Sequence, residues 1–180
     1  YKCSALTSLD ITHFKTGKVP DLSSLFLGCS SLTSLDVSKL DTSNAEYLSN
    51  MFNDCTSLTS LDVSNFDFSK ATSTNHMFNG CTKLSKLIIK KVKSDDLSSL
   101  DYTFANCKSL TSLDLTGFNT TTVTRMNYMF YESGIKYLDL SSFDTRNIKT
   151  FSGVFQNCNG LVIKVNNETA ANLVKSLPKY

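Results

Sequence analysis

The sequence predicts an α/β fold: a right-handed solenoid with parallel strands on one face, short helices or helical turns on the other, and a C-terminal capping helix. Three observations carry this reading. Cys3, Cys29, Cys55, Cys81 and Cys107 recur every 26 residues, a period that marks stacked repeats rather than one irregular core. Three apolar rows keep the same frame: Leu6, Leu32, Leu58, Leu84, Leu110 and Ile135; Leu9, Leu35, Leu61, Leu87, Leu113 and Leu138; and Ile11, Val37, Val63, Ile89, Leu115 and Leu140. A second apolar set in each unit, such as Val19, Leu22, Leu25 and Phe26, is spaced three or four apart. That spacing suits one or two helical turns with one buried face.

Each unit then reads as strand, turn, short helix, turn. The rows compose L-x-x-L-x-L, the strand signature of leucine-rich repeats, and place strands near 7–11, 33–37, 59–63, 85–89, 111–115, 136–140 and 161–165. Parallel strands joined by crossovers are right-handed almost without exception. Asp41-Thr42-Ser43-Asn44, Asn119-Thr120-Thr121-Thr122 and Asp144-Thr145-Arg146-Asn147 supply side-chain oxygens for the turn that follows each strand. The helical stripe recurs as Val123, Met126, Met129 and Phe130, and as Ile148, Phe151, Val154 and Phe155. Gly28, Asp54, Gly80 and Asn106 precede the next cysteine, where a helix C-terminal turn needs a residue that tolerates positive φ. The frame loses one residue between Ser133 and Ile135, and the last cysteine is Cys158. Residues 1–165 are therefore one solenoid of about six units plus a final strand. In 166–180, Asn167 is the expected N-cap, and Ala170, Leu173, Val174 and Leu177 form a stripe that stops at Pro178. That helix is expected to cap the last coil. The chain opens at Tyr1 in the middle of the pattern, as a mature fragment or a piece of a longer protein would.

Charge and hydropathy narrow the function classes. Eighteen basic against 16 acidic residues give a net charge of +2 over 180 residues, with no basic face of the kind nucleic acid requires. No apolar run approaches the roughly 18 residues that span a bilayer, so no membrane insertion of this segment is expected. The seven glycines form no phosphate-cradling motif. His13 and His76 occupy different repeat positions and have no catalytic partner in the pattern. The aspartates are repeated copies in similar settings, which argues against one unique acid and one unique base. The cysteine row places thiols about 5 Å apart. A straight row does not converge on a tetrahedral metal, and buried thiols acting as small hydrophobes account for it. The sequence thus assigns no catalytic residue, no cofactor and no metal site, and reads as non-catalytic.

The run Met51-Phe52-Asn53-Asp54-Cys55-Thr56-Ser57-Leu58-Thr59-Ser60-Leu61-Asp62-Val63-Ser64-Asn65-Phe66-Asp67 resembles the repeat of the BspA-like bacterial surface proteins. It looks like the unit of about 25 residues first catalogued in Mycoplasma lipoproteins. The pattern recurs over 1–160, with departures at Thr103, Ser133 and Lys90-Lys91-Val92-Lys93. The resemblance implies an extracellular or bacterial cell-surface location and adhesion to a host or cell-surface protein. A structural spacer, or an accessory domain of a larger surface protein, is the alternative. The flanking sequence, the identity of any partner and the oligomeric state are not readable from the chain.

Strand alternation turns one set of side chains outward. Its middle column is Asp10, Asp36, Asp62, Ile88, Asp114 and Asp139, an aspartate ladder broken once. Lys86 and Lys90 flank the break, and Tyr137 stands beside Asp139. Two readings stay open. Lys86 and Lys90 relieve repulsion by pairing with Asp62 and Asp114, or Lys86, Ile88, Lys90 and Tyr137 mark a partner-binding site on an acidic strip. Cation binding along the ladder is a weaker variant, since one row supplies too few converging oxygens.

Overall fold

A computed structural model of the chain describes residues 2–165 and Ala171. The expected capping helix over 166–180, Ala171 apart, lies outside the described residues. Four short strands form: β1 (Ser60–Asp62), β2 (Lys86–Ile88), β3 (Tyr137–Asp139) and β4 (Val162–Lys164). β1 and β2 pair in parallel with Ser60 opposite Lys86, Leu61 opposite Leu87 and Asp62 opposite Ile88. β3 and β4 pair in parallel with Tyr137 opposite Val162 and Leu138 opposite Ile163. The first register is one repeat of 26; the second is one residue shorter, as is the bridge from Ser112 to Tyr137. The one-residue deletion after Ser133 is thus taken up between Gly134 and Lys136, ahead of β3.

The strands are shorter than the apolar rows suggest, and 7–11, 33–37 and 111–115 form none, the last keeping a single bridge from Ser112 to Tyr137. Strand pairing needs a run of well-formed amide bonds, and here the cross-unit bonds stretch at the strand entrance. Thr59 N–H reaches Thr33 O at 3.4 Å, and Lys86 N–H reaches Thr59 O at 3.4 Å. The backbone still lies in register, but only the three central residues of a unit ladder fully.

Of the short helices or helical turns expected in the second half of each unit, the structure forms turns and, among residues 2–165, no helix. An α-helix donates each amide to the carbonyl four residues back; here alternate amides reach forward to the next unit instead. Leu22, Ser24, Phe26 and Gly28 donate to the carbonyls of Tyr47, Ser49, Met51 and Asn53 at 2.8–3.0 Å. Single bridges extend this second parallel ladder from Asp21 through Tyr47, Ser73, Ser99 and Arg125 to Thr150. Between these bonds the chain makes three-residue turns, such as Leu27 N–H to Ser24 O at 3.1 Å. Two positions per unit take positive φ. One column holds Ser24, Asn50, His76, Tyr102, Tyr128 and Gly153; the other, just before the cysteine frame, holds Gly28, Asp54, Gly80, Asn106, Glu132 and Asn157. A left-handed residue every fourth position interrupts any right-handed helix. The three-and-four spacing of apolar residues therefore reports a tight, repeatedly reversed coil, not a helical face.

Both apolar sets meet in one interior. Leu32, Leu58, Leu84, Leu110, Phe52, Phe78, Phe104 and Phe130 are fully buried. Phe26, Phe52, Phe78, Phe104, Phe130 and Phe155 form one continuous stack, with neighbouring ring centroids 5.4–5.7 Å apart and planes within 17°. Aromatic pairs of this kind add about 0.5–1.5 kcal/mol each beyond the area they bury. The cysteine row lies beside the stack. Cys55, Cys81 and Cys107 donate their thiols to Phe26 O, Phe52 O and Phe78 O at 3.1–3.2 Å. Burial pushes the Cys55 and Cys107 thiols up to about 12 and raises Cys81 as well. The thiolate that a metal or a nucleophilic role needs is disfavoured there. The row is a ladder of neutral donors tying each unit to the carbonyl of the one before.

Two outcomes follow from this packing. Leu61→Ala, at a position 2 % exposed, is expected to lower unfolding free energy by about 2–5 kcal/mol, and Phe78→Ala by about 3–5 kcal/mol, in urea titrations. Alkylation at neutral pH is expected to leave Cys55, Cys81 and Cys107 unmodified in the native protein and to label them in denaturant. Rapid native labelling of Cys81, read by peptide mass, would place that thiol outside the interior.

Candidate functional site

The strand face is built by the alternation of buried leucines and exposed polar residues. Leu61, Leu87 and Leu138 are buried, while Ser60, Asp62, Lys86 and Tyr137 are exposed. Across Ser34, Leu35, Asp36, Ser60, Leu61, Asp62, Lys86 and Ile88, three neighbouring units enclose an open depression of about 400 Å³. Four of the sequence-predicted residues meet there: Asp36, Asp62, Lys86 and Ile88. Asp10, Lys90, Asp114, Tyr137 and Asp139 stand outside it. Tyr137 is 49% exposed and pairs across β3–β4 with Val162, itself 60% exposed, which makes a separate small apolar patch.

The aspartate column has a use that its regularity alone did not reveal. Oδ1 of Asp10, Asp36, Asp62, Asp114 and Asp139 accepts the backbone N–H two residues on, from Thr12, Ser38, Ser64, Thr116 and Ser141, at 2.8–2.9 Å. Each is an Asx turn, and at Asp62 and Asp139 it ends a strand. The signal was present in the sequence as D-x-S/T, repeated five times. A second column does the same, with Asp41, Asp67, Asn119 and Asp144 accepting from Ser43, Ser69, Thr121 and Arg146.

The electrostatics follow the hydrogen bonds. Asp10, Asp36, Asp62 and Asp114 are held below the usual carboxylate range, chiefly by the turn residue that donates to each. Lys90 and Lys86 act on Asp62 only as weaker charges behind Ser64, and neither forms an ion pair among the described residues. The expected pairing of Lys86 and Lys90 with Asp62 and Asp114 is therefore corrected: each carboxylate accepts the amide two residues on, because an amide at 2.9 Å outweighs a screened ammonium farther off. The lysine that does pair is Lys164, 2.8 Å from Asp139 Oδ2. It holds Asp139 at about 2, with Ser141 adding to the effect.

Nothing in the depression forms a nucleophile, base and orienting-group relay. His76 lies elsewhere, stacked on Tyr102 at 4.6 Å and 7°, with Tyr102 stacked in turn on Tyr128. All three stand at positive φ, so their rings cover the reversed turns. Burial lowers the His76 pKa, against the opposing charges of Asp101 and Asp54. Among the described residues no three His, Cys, Asp or Glu side chains are grouped to hold a metal ion. Chemically, the depression offers two ionised carboxylates, one ammonium, serine hydroxyls and an apolar floor, which suits recognition of a mixed polar and apolar surface.

Because the folded state favours the ionised aspartates, they stabilise the protein above the unfolded-chain value of about 3.9. That contribution is lost as pH falls through the folded values, about 2 for Asp139 and about 2 for Asp144. The melting temperature is expected to hold from pH 7 to about 5 and to drop between about 4 and 2. Asp139→Asn is expected to flatten that drop. An unchanged profile in the variant would remove Asp139 from the linkage.

The chain matches a family described as "Mycoplasma protein of unknown function, DUF285", over residues 1–112 and again over 86–176. The two matches overlap by roughly one repeat, as the tandem arrangement of units leads one to expect. No curated protein and no solved structure is detectably similar. With nearly its whole length covered by these two matches, the chain belongs to the DUF285 family, a Mycoplasma-associated family whose function is unknown.

Proposed function

We propose that the chain is a right-handed leucine-rich-repeat solenoid, akin to the BspA-like bacterial surface proteins, that is displayed on the cell surface and binds a host or cell-surface protein without catalysing a reaction. Family membership and the in-register parallel pairing of successive units support the architectural part. One observation carries the functional part. In the strand column where five units place a turn-capping aspartate, the fourth places Ile88, and Ile88 with Lys86 lines the open depression. Turn chemistry accounts for every other member of the column but not for an isoleucine left partly exposed. Partly exposed apolar surface rimmed by charge is the make-up of a protein-contact patch.

A second reading, a structural spacer or an accessory domain of a larger surface protein, draws on the aspartates themselves. Their turn-capping role makes most of the strand face a structural repeat.

Binding to a panel of purified matrix and serum proteins separates the two. Adhesion predicts at least one partner whose affinity falls by about tenfold or more in Lys86→Ser/Ile88→Asp, with melting little changed. A spacer predicts no partner for either form. Lys86→Ser/Lys90→Ser is expected to leave the melting temperature nearly unaltered at low and high salt, since both ammonium groups are exposed and unpaired. A large drop that salt restores would return them to the role of charge relief.

A further inference from the structure

The irregular fourth unit breaks a second column as well, on a different side of the coil. Where Asp41, Asp67, Asn119 and Asp144 cap turns, this unit carries Lys93. Where Thr16, Thr42 and Thr120 clamp the backbone of the following unit, at Asp41, Asp67 and Asp144, the third unit carries Phe68. The clamp is reciprocal elsewhere: Thr42 Oγ1 donates to Asp67 O at 3.0 Å and accepts Asp67 N–H at 2.7 Å. Phe68 has no hydroxyl to do the same for Lys93. Two stabilising devices are thus given up at one place. Sequences that break their own local rule do so most often at functional sites.

What stands there instead is an open cleft of about 350 Å³, lined by Lys91 and Lys93 together with Ser64, Ser69, Asp67 and Phe68. Val92, between the lysines, is buried at 1 % exposure and bridges in parallel to Phe118. Its amide donates to Gly117 O, and its carbonyl accepts from Asn119. The backbone beneath the two lysines is therefore fixed, and alternation about a buried residue sends both side chains to the same side. Neither lysine forms an ion pair among the described residues. The one carboxylate in the cleft, Asp67, is committed by Oδ1 to the Ser69 amide at 2.8 Å. Two ammonium groups against one carboxylate leave the cleft net positive.

We propose that this cleft is an anion-binding site for a sulfate or phosphate ester carried on a polymer chain. It is separate from the strand-face depression and does not depend on that depression binding a protein. Ammonium groups are strong donors to tetrahedral oxyanions, and the serine hydroxyls add neutral donors. A polymer is favoured over a single small anion because the same unit continues the charge. Lys83, Lys86 and Lys90 are also exposed, so 83–93 carries five lysines and no acid, with Asp62 beside Ile88 on the preceding unit. This excess of positive charge draws in a polyanion at long range, while the fixed pair provides the contact.

Calorimetric titration of the whole chain at low ionic strength tests this, with dextran sulfate, dextran phosphate and uncharged dextran as probes. Either charged polymer is expected to bind, and uncharged dextran is not. Binding of only one of the two identifies the ester as sulfate or as phosphate. Lys91→Gln/Lys93→Gln is expected to weaken binding by about tenfold or more, and Lys83→Gln/Lys86→Gln by less than about threefold. Inorganic sulfate is expected to shift the backbone amide resonances of Ser64, Ser69, Lys91 and Lys93 in the unaltered protein, a readout that needs no variant to fold. Absence of binding by both charged polymers overturns the proposal. So does an equal loss in the two double variants, which would mean a diffuse basic surface only, or sulfate shifts that bypass these four residues.

Discussion

Hydrogen bonding between residues one repeat apart is the constraint on which the rest of the structure depends. A unit of 26 residues has no regular structure of its own among the described residues beyond three strand positions and a few turns. Its amides are satisfied by the next unit, whether at Val63 to Ile88 O, 2.8 Å, or at Phe52 to Met77 O, 2.9 Å. A buried amide without a partner costs free energy comparable to a lost hydrogen bond. No unit can therefore pack its leucines without a neighbour in register. The register then dictates everything that stacks: phenylalanine on phenylalanine, thiol under carbonyl, threonine on the next turn.

Stacking in register also explains why identical side chains recur without becoming a catalytic or metal site. A column of aspartates in one sheet repels unless each carboxylate finds a donor nearby, and each finds it in the amide two residues on. Cys55, Cys81 and Cys107 stay protonated because burial disfavours the thiolate, and each thiol donates to a carbonyl of the preceding unit. Repetition in this protein produces structural cross-ties. Distinct chemistry arises only where a column is broken, and the breaks gather in the unit that begins at Cys81: Ile88 and Lys93 replace turn-capping acids, and the preceding Phe68 replaces a clamping threonine. The depression and the cleft both open at these breaks.

The left-handed positions show a similar economy. Glycine, asparagine and aspartate fill most of the column before the cysteine frame, as their tolerance of positive φ predicts. The other column admits His76, Tyr102 and Tyr128 at φ of 54–57°. Their rings stack on one another, and the edge of Tyr128 closes over Gly153, where an added Cβ would overlap the ring. Ring stacking offsets the backbone strain of a bulky residue in this region, and glycine serves at the position the last ring covers.

The sequence carries the period, the deletion after Ser133, the inward leucines and the cysteine row, which is buried from Cys29 to Cys107 whereas Cys3 is exposed. A repeat that buries its apolar residues against copies of itself must show them at one spacing. It also singled out Lys86, Ile88 and Lys90 as the break in the strand column. Tertiary structure decided the rest. The Val19–Phe26 spacing reads as helix in one dimension, but its amides are claimed by the neighbouring unit, and positive φ at Ser24 and Gly28 turns the coil back on itself. The aspartates read as a charge ladder until the turn amides accounted for them, because a hydrogen bond of 2.9 Å two residues along is local geometry that charge counting does not see. Lys91 and Lys93 read as a departure from the pattern and nothing more. Only the fold shows that the residue facing them across the unit boundary is Phe68 and that a cleft stands between.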